Sequence, residues 1–411
     1  MRNAVRFWMP VKGIMFRLAP DLPPEVVFLL QDFRLAVNAA IRAGLQARVT
    51  SRNALCRLAY KAFREEHPRM YAQHLVSSFE VAASALKNHR RRMHRGMSRI
   101  PYLRRLMMKT ENQAYKLDRE NGMIDLPIMA GCHVQLRLVV SQYHRRYLDD
   151  RSLSLGSLTI LPDRVIIAFR KEAAKAFAPE SALSLDTNER SLDGVFAEGN
   201  TAMPVKAESP EVATIQQRYH DRRKRLQKKK AHDRRTSRRL CRKEGKREHD
   251  RIQYRLHQVA NSVLSFADAK KSAIVLEDLR GIRHKKNKDK ELNRRLSMWP
   301  RRQLHQIIEY KAEWRGIPVI KVDPRDSSRK CPICGRIQDS RMGNEFKCDC
   351  GWHLDRHINA SLNLLQTATS KGLEVAGGLR FNPGAFQHDV MMILYEPAMA
   401  ARSEPNGTSC V

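Results

Sequence analysis

Four cysteines packed into twenty residues, Cys331-Pro-Ile-Cys334 and Cys348-Asp-Cys350, constrain this chain more than any other feature. Two cysteine pairs about fourteen residues apart supply the four thiolates that complete a closed tetrahedron around zinc. The other cysteines, Cys56, Cys132, Cys241 and Cys410, are scattered, so in a reducing compartment the cluster reads as a metal site and not as a disulfide framework. A closed four-thiolate site has no open coordination position, which predicts a structural zinc ribbon. The second pair is C-x-C, which tightens the local turn and leaves His353 as a conceivable substitute ligand; four thiolates already complete the set, and that favours the cysteines. A knuckle of this size organises only a small part of 411 residues, which is length enough for two to four domains.

Charge narrows what the rest can serve. Lysine and arginine number 76 against 43 acids, a formal net charge of +33. A surplus that large excludes most small-metabolite enzymes as a default and points to a polyanion. A nucleic-acid duplex of roughly 20 base pairs, with about 40 phosphates, would absorb all of it. At 42 % hydrophobic residues the chain is a folded protein with basic surfaces, not a disordered basic tail. The opening Met1 to Pro10 interleaves charges with apolar residues and lacks a secretory h-region, and no apolar run approaches the roughly 18 residues of a membrane span; the expectation is a cytoplasmic protein without membrane contact, and a monomer. The basic residues are unevenly spread: residues 218–251 carry 17 Lys or Arg against 5 acids. Smaller clusters lie at 88–105, interleaved with Tyr102, and in the glycine-hinged loop 280–290.

Short strands are predicted at 4–9 and 13–18 before Pro20, Pro23 and Pro24 break the pattern. From Glu25 to about Arg95 the apolar spacing is helical, through Val26, Leu29, Leu30, Phe33, Val37 and Ile41, then Leu75, Phe79, Ala82 and Leu86. Strands resume at 114–117, 123–126, 133–140, 153–160 and 164–169. This reads as a small β-barrel or sandwich (1–24 and 97–178), the barrel preferred, interrupted by a helical bundle (25–96). A second region then follows an α/β order, beginning with Ser181-Ala-Leu-Ser-Leu-Asp186. The last residues, within 386–411, are polar and turn-rich, and predict a tail that is loose at its end.

Three acids stand out. Asp186 closes a strand in which period two sets Ala182, Ser184 and Asp186 on one face. Glu277 closes Ala273-Ile-Val-Leu-Glu, an apolar run of the kind buried in the middle of an α/β sheet. Carboxyl ends of such strands share one crevice. Asp355 begins the helix Asp355-Arg-His-Ile-Asn-Ala-Ser-Leu-Asn, with Asn359 and Asn363 on its stripe. Alone, each acid has a plain structural reading, as a turn residue or an N-cap. Together they are the set needed to hold two Mg²⁺ ions about 4 Å apart for phosphodiester hydrolysis.

The blocks Trp299 to Pro324, Ser327-Ser-Arg-Lys-Cys-Pro-Ile-Cys-Gly335, Phe346-Lys-Cys-Asp-Cys-Gly351 and Asp355-Arg-His-Ile-Asn-Ala360 resemble the carboxy-terminal half of the TnpB proteins, transposon-encoded RNA-guided DNA nucleases related to the compact type V CRISPR effectors. The match is dense over about 180–365 and architectural before that. The resemblance implies an α/β RuvC-like (RNase H-type) nuclease core at 179–326 and 355–385, a zinc ribbon at 327–354 inserted before the last acid, and Asp186, Glu277 and Asp355 as catalytic Mg²⁺ ligands. It assigns the barrel and helical insert to holding guide RNA and reading a short motif beside the target DNA. The implied activity is guide-RNA-dependent cleavage of DNA complementary to the guide. In one place the chain departs from the family. Relatives often read Asp-x-Asp-x-Asn-Ala in the last motif, where this chain has His357 in place of the second acid. Imidazole is a poor Mg²⁺ ligand, so either Asp355 takes over or the protein binds DNA with weak or no cleavage.

Overall fold

The computed structural model describes residues 10–19, 21–68, 70–96, 99–172, 176–228, 233–280, 293–294, 298–338, 343–376, 378–379, 385–388 and 390–395. The strand expected at 4–9, the loop 281–290 and the last sixteen residues, with Cys410, lie outside them. The chain divides into two compact units, 1–173 and 174–411. Among the described residues no helix is long and apolar enough to cross a membrane.

In the first unit, β1 (Val11–Leu18) is followed by α1 (Pro24–Gln46), α2 (Arg52–Glu66) and α3 (Ala72–Met93). Proline in the first turn starts α1, and its stripe Val26, Leu29, Leu30, Phe33, Val37 and Ile41 is buried. β2 (Met108–Thr110), β3 (Lys116–Asp118), β4 (Met123–Met129), β5 (Cys132–Val139), α4 (Gln142–Leu148), β6 (Ser154–Leu161) and β7 (Arg164–Arg170) complete the unit. Its seven strands run in the order β2-β6-β7-β1-β5-β4-β3, each pair antiparallel. The edge strands β2 and β3 are only five residues apart in the chain, so the sheet must curl. No pairing of β2 with β3 closes it among the described residues, so the expected small barrel is a half-barrel.

Two buried polar side chains fasten the helices of this unit to its other parts. Asn38 of α1 donates to the Leu103 carbonyl at 3.1 Å and accepts from the Leu103 N–H at 2.8 Å. His74 of α3 lies 2.8 Å from the Pro127 carbonyl through Nε2 and 3.0 Å from Thr110 Oγ1 through Nδ1. A carbonyl only accepts, so Nε2 carries the proton and Nδ1 accepts from the threonine. Burial disfavours the charged ring and pushes its pKa down to about 4 from 6.5. The unfolded chain therefore takes up this proton near pH 6.5, whereas the folded chain does so only near pH 4. Stability is full above that window and falls as pH drops through it, by about 2 kcal/mol from this group at pH ~5. Unfolding midpoints measured from pH ~7 to ~5 should fall less steeply in His74→Gln than in the parent; parallel slopes would refute the assignment.

The second unit is built on β8 (Ser181–Thr187), β9 (Ser191–Glu198), β10 (Thr201–Glu208), β11 (Ser272–Glu277), β12 (Val319–Val322) and β15 (Met392–Tyr395). The sheet order is β12-β11-β8-β9-β10-β15: an antiparallel meander β8-β9-β10, with β11 parallel to β8, β12 parallel to β11, and β15 parallel to β10 at the far edge. Thus part of 386–411, expected as a tail, is an edge strand. Its partner lies almost two hundred residues away, and no local signal marks it.

Period two divides the two cores. Leu183, Leu185, Ile274 and Leu276 face α6 (Arg234–Ala269) and α7 (Arg301–Arg315), meeting Leu256, Val259, Leu304 and Ile308; α5 (Pro210–Lys228) adds Val212. Ala182, Val195, Ala273 and Val275 face α8 (Arg356–Ser370), meeting Ile358, Leu362 and Leu365. A hairpin β13 (Glu345–Lys347) and β14 (His353–Asp355) leads directly into α8.

Gly194 of β9 pairs with Leu185, and a Cβ there would lie 2.2 Å from the Ser184 carbonyl oxygen and 2.7 Å from Leu185 Cδ2. Main chain cannot step aside as a side-chain end can. Gly194→Ala should lower stability by about 1–3 kcal/mol or more, read as a lower unfolding midpoint; an unchanged midpoint would mean that β8 and β9 separate without cost.

Candidate active site

The strands put the predicted acids where period two requires. Asp186 is the next-to-last residue of β8 and Glu277 ends β11, its parallel neighbour, in a register that pairs Leu185 with Leu276. By period two both share the face of Ala182, Ala273 and Val275, which is turned to α8. The two acids lie at neighbouring strand ends, and Asp186 is only 8 % exposed. Burial, then the charge and hydrogen-bonding pull of Asp186, push the Glu277 pKa far above the carboxylate range, against the opposing pull of Arg301 and the Thr187 N–H. Two acids so placed share a proton or take a cation.

A third acid faces them. Asp193 of β9 is opposite Asp186 in the hairpin register and is 7 % exposed. Ser191 Oγ donates to its carboxylate at 2.7 Å and Asn188 Nδ2 at 3.3 Å. Burial raises its pKa, opposed by those two donors and by the charges of His357 and Lys206. The sequence reading missed Asp193. The signal was the turn: Asn188 N–H donates to the Ser191 carbonyl, closing the hairpin over Glu189 and Arg190, and that closure sets 186 against 193.

The last motif is arranged differently from its expected role. The Asp355 carboxylate is the N-cap of α8, accepting from the N–H groups of His357 at 2.8 Å and Ile358 at 3.3 Å. His357 reaches the strand ends instead, with Nδ1 2.7 Å from Asp186 Oδ2. Burial lowers the tendency of this ring to charge, but the Asp186 hydrogen bond and the carboxylates of Asp186, Asp193 and Asp355 outweigh it and raise its pKa. Asp186, Glu277 and Asp355 do not gather within 4.8 Å of one another; among the described residues the four cysteines are the only such group of potential metal ligands.

Supporting residues hold this geometry. Ser361 Oγ of α8 accepts from the Asp186 N–H at 3.0 Å and donates to the Asp193 carbonyl at 2.9 Å, while Ser184 Oγ donates to the Ser361 carbonyl at 2.8 Å. His305 of α7 is buried, with Nε2 2.6 Å from Thr187 Oγ1 and a ring hydrogen bond to the Glu277 main chain. Burial and the charges of Lys321 and Arg301 push it down to about 4, so a neutral imidazole ties together the two strand ends that carry Asp186 and Glu277. Arg301, one turn earlier, stacks on Trp299 with its guanidinium 4.3 Å from the ring centre.

In the ribbon, Cys331 Sγ lies 3.6 Å from Cys350 Sγ, and Cys334 Sγ 3.5 Å from Cys348 Sγ, with all four within 4.8 Å. A tetrahedron with metal–sulfur bonds of about 2.3 Å has sulfur–sulfur edges of about 3.8 Å, so the quartet fits one metal ion. The Cys350 N–H holds the Cys348 thiol well below its ordinary range. His353 instead meets Glu345 at 3.3 Å across the hairpin. Asn359 and Asn363 fasten the ribbon to α8: their amides donate to the Lys330 carbonyl at 3.0 and 2.7 Å, and Asn363 also to that of Ser327 at 2.8 Å.

Residues 218–228 and 234–251 of the basic run lie on α5 and α6, which pack around buried Tyr219 with the guanidiniums of Arg222 and Arg251 5.4 and 5.7 Å from its ring. Arg223 pairs with buried Glu248. Arg218, Lys224, Arg225, Arg238, Arg242 and Lys246 remain exposed.

Matches to known proteins fall in both units. The family model "Cas12f1-like, TNB domain" matches residues 302–364, from α7 through the ribbon into α8, and that of the uncharacterized MJ0013 family matches 29–125. The TnpB-like protein MJ0751 of Methanocaldococcus jannaschii is 30 % identical over 247 residues, 58 % of this chain and 88 % of the relative. The CRISPR-associated endodeoxyribonuclease Cas12f1 of Sulfoacidibacillus thermotolerans is 40 % identical over 95 residues, 22 % of this chain and 21 % of that one. In fold, the chain resembles Cas12f1 from a cryo-EM structure of the Cas12f1–sgRNA–target DNA complex, with a TM-score of 0.56 at 14 % identity over 83 % of this chain and 82 % of the other. A motif-bearing carboxy-terminal unit and a relative matched over nearly its whole length lead to one assignment: the chain belongs to the TnpB-like family.

Proposed function

We propose that this chain is an RNA-guided DNA endonuclease, cutting DNA paired to a bound guide RNA by two-metal phosphodiester hydrolysis. The observation that carries the reading is the buried Asp186–Glu277 pair at adjacent parallel strand ends within a chain of net charge +33. A protein built for a polyanion does not place acids at such a site unless cations come with the ligand. The order β10-β9-β8-β11-β12, with helices on both faces, supports a RuvC-like (RNase H-type) core. Two Mg²⁺ ions would activate the attacking water and stabilise the leaving oxygen when bound. Asp186 and Glu277 would hold them, His305 and Ser361 keep the strand ends in place, and Arg301 lies close enough to both acids to meet a phosphate brought there. Cys331, Cys334, Cys348 and Cys350 would hold a structural Zn²⁺. The exposed cations of α5 and α6 suit the guide RNA and target DNA backbones, and the half-barrel with its helical insert is assigned to the guide scaffold and to the motif beside the target.

A second reading is favoured by the His357–Asp186 hydrogen bond and by the commitment of Asp355 to its cap. In it, the protein finds its target by the same pairing and acts by occupancy. Incubation of the protein and its copurifying RNA with a matched plasmid separates the two. Linear product that disappears in Asp186→Ala supports cleavage, whereas tight binding without cuts in any divalent ion supports occupancy.

A further inference from the structure

Asp186 is flanked on two sides. Glu277 neighbours it at the end of the parallel strand β11, and His357 Nδ1 approaches its Oδ2 to 2.7 Å from the first turn of α8. The three do not draw within 4.8 Å of one another. They therefore form no single tight cage, and Asp186 is approached separately by its strand neighbour and by the imidazole. One position is lined by Glu277 and Asp186, oxygen donors only. The other is lined by Asp186 and an imidazole nitrogen, with Asp193 opposite Asp186 in the hairpin register. The acid that could have made it all-oxygen, Asp355, spends its carboxylate on two main-chain N–H groups of α8. Both sides of the mixed position are held in place. Ser361 fixes the Asp186 main chain, and the His357 ring is fixed by its place in the first turn of a helix whose next residues, Ile358, Asn359 and Ala360, are buried.

We infer that the position between Asp186 and His357 is a mixed nitrogen–oxygen site selecting first-row transition ions, with Mn²⁺ as representative, over Mg²⁺. Mg²⁺ demands oxygen donors in near-ideal octahedral geometry, whereas imidazole suits the transition ions. The inference rests on the reading of Asp186 and Glu277 as metal-holding residues and goes beyond it in naming a nitrogen ligand and the class of ion it selects. The departure from the two-acid motif is then a change of metal and not merely a loss.

The test uses the full chain with its ribbon zinc in place, bound to its copurifying RNA, and titrated with MnCl₂ alone. Continuous-wave EPR follows the loss of free Mn²⁺ signal, and pulsed EPR reads hyperfine coupling to a directly bound ¹⁴N. The expected result is a nitrogen-coupled Mn²⁺ whose coupling vanishes in His357→Ala. Mg²⁺ should compete poorly in the parent and better in His357→Asp, by a factor on the order of 10 or more, since loss even of outer partners shifts metal affinity that far. Mn²⁺ bound without nitrogen coupling, or displaced equally by Mg²⁺ in parent and His357→Asp, would overturn the inference. The nuclease reading fails separately: nitrogen-coupled Mn²⁺ with no cleavage in any ion would retain the site and reject the enzyme, while cleavage in Mg²⁺ with no nitrogen-coupled Mn²⁺ would do the reverse.

Discussion

Asp186→Ala should abolish guided DNA cleavage while leaving nucleic-acid binding within a small factor of the parent. The size of the loss follows from what the residue holds. Asp186 lies between Glu277 and His357, so its removal empties both flanking positions at once. Transition-state stabilisation by bound cations is worth several kcal/mol; about 4 kcal/mol corresponds to ~10³-fold in rate. Glu277→Gln keeps the shape but removes one charge, and it should approach the same loss. Binding survives because it is carried by exposed cations far more numerous than these acids, such as Arg218, Lys224 and Arg238. Single-turnover cleavage and filter binding on the same samples check both halves. A variant that cuts at the parental rate would remove Asp186 from the chemistry.

Cys348→Ser has the second large effect, on structure first. Metal binding by four thiolates is folding free energy, about 10 kcal/mol or more for structural zinc. The ribbon here is coupled to the site through its exit: β14 ends at Asp355, which caps α8, and Asn359 and Asn363 hold the segment 327–330. Loss of the ion should therefore loosen the first turn of α8, where His357 sits. The expected outcome is about one zinc per chain in the parent and none in the variant, with faster amide exchange across 343–363 and little change in α6. Zinc retained by Cys348→Ser, or exchange unchanged in α8, would detach the ribbon from the site.

Much of this was legible from residues alone, and the remainder has identifiable causes. The cysteine quartet declared itself because thiolate spacing is a local property. β8 and β11 were legible because buried parallel strands read as apolar runs ended by an acid. Asp193 was not, because its place opposite Asp186 depends on hairpin register, and one residue more in the turn would send its side chain to the other face. β15 depends on a partner distant in sequence, and β2 is only three residues long. The choice between Asp355 and His357 turned on where α8 begins. Both residues lie near the strand ends, and the one at the N-cap gives its carboxylate to the helix. His305 carries no local signal; its role appears only when α7 brings it between two strand ends.

The most direct test of guided cleavage is to change the guide and nothing else. The protein is loaded with two RNAs that share one scaffold and differ in the targeting segment, and each complex is offered two plasmids, one matched to each guide. The account predicts that cutting follows the guide, on the matched plasmid only, and is lost in Asp186→Ala. Cutting that ignores the guide, or persists without RNA, would contradict it.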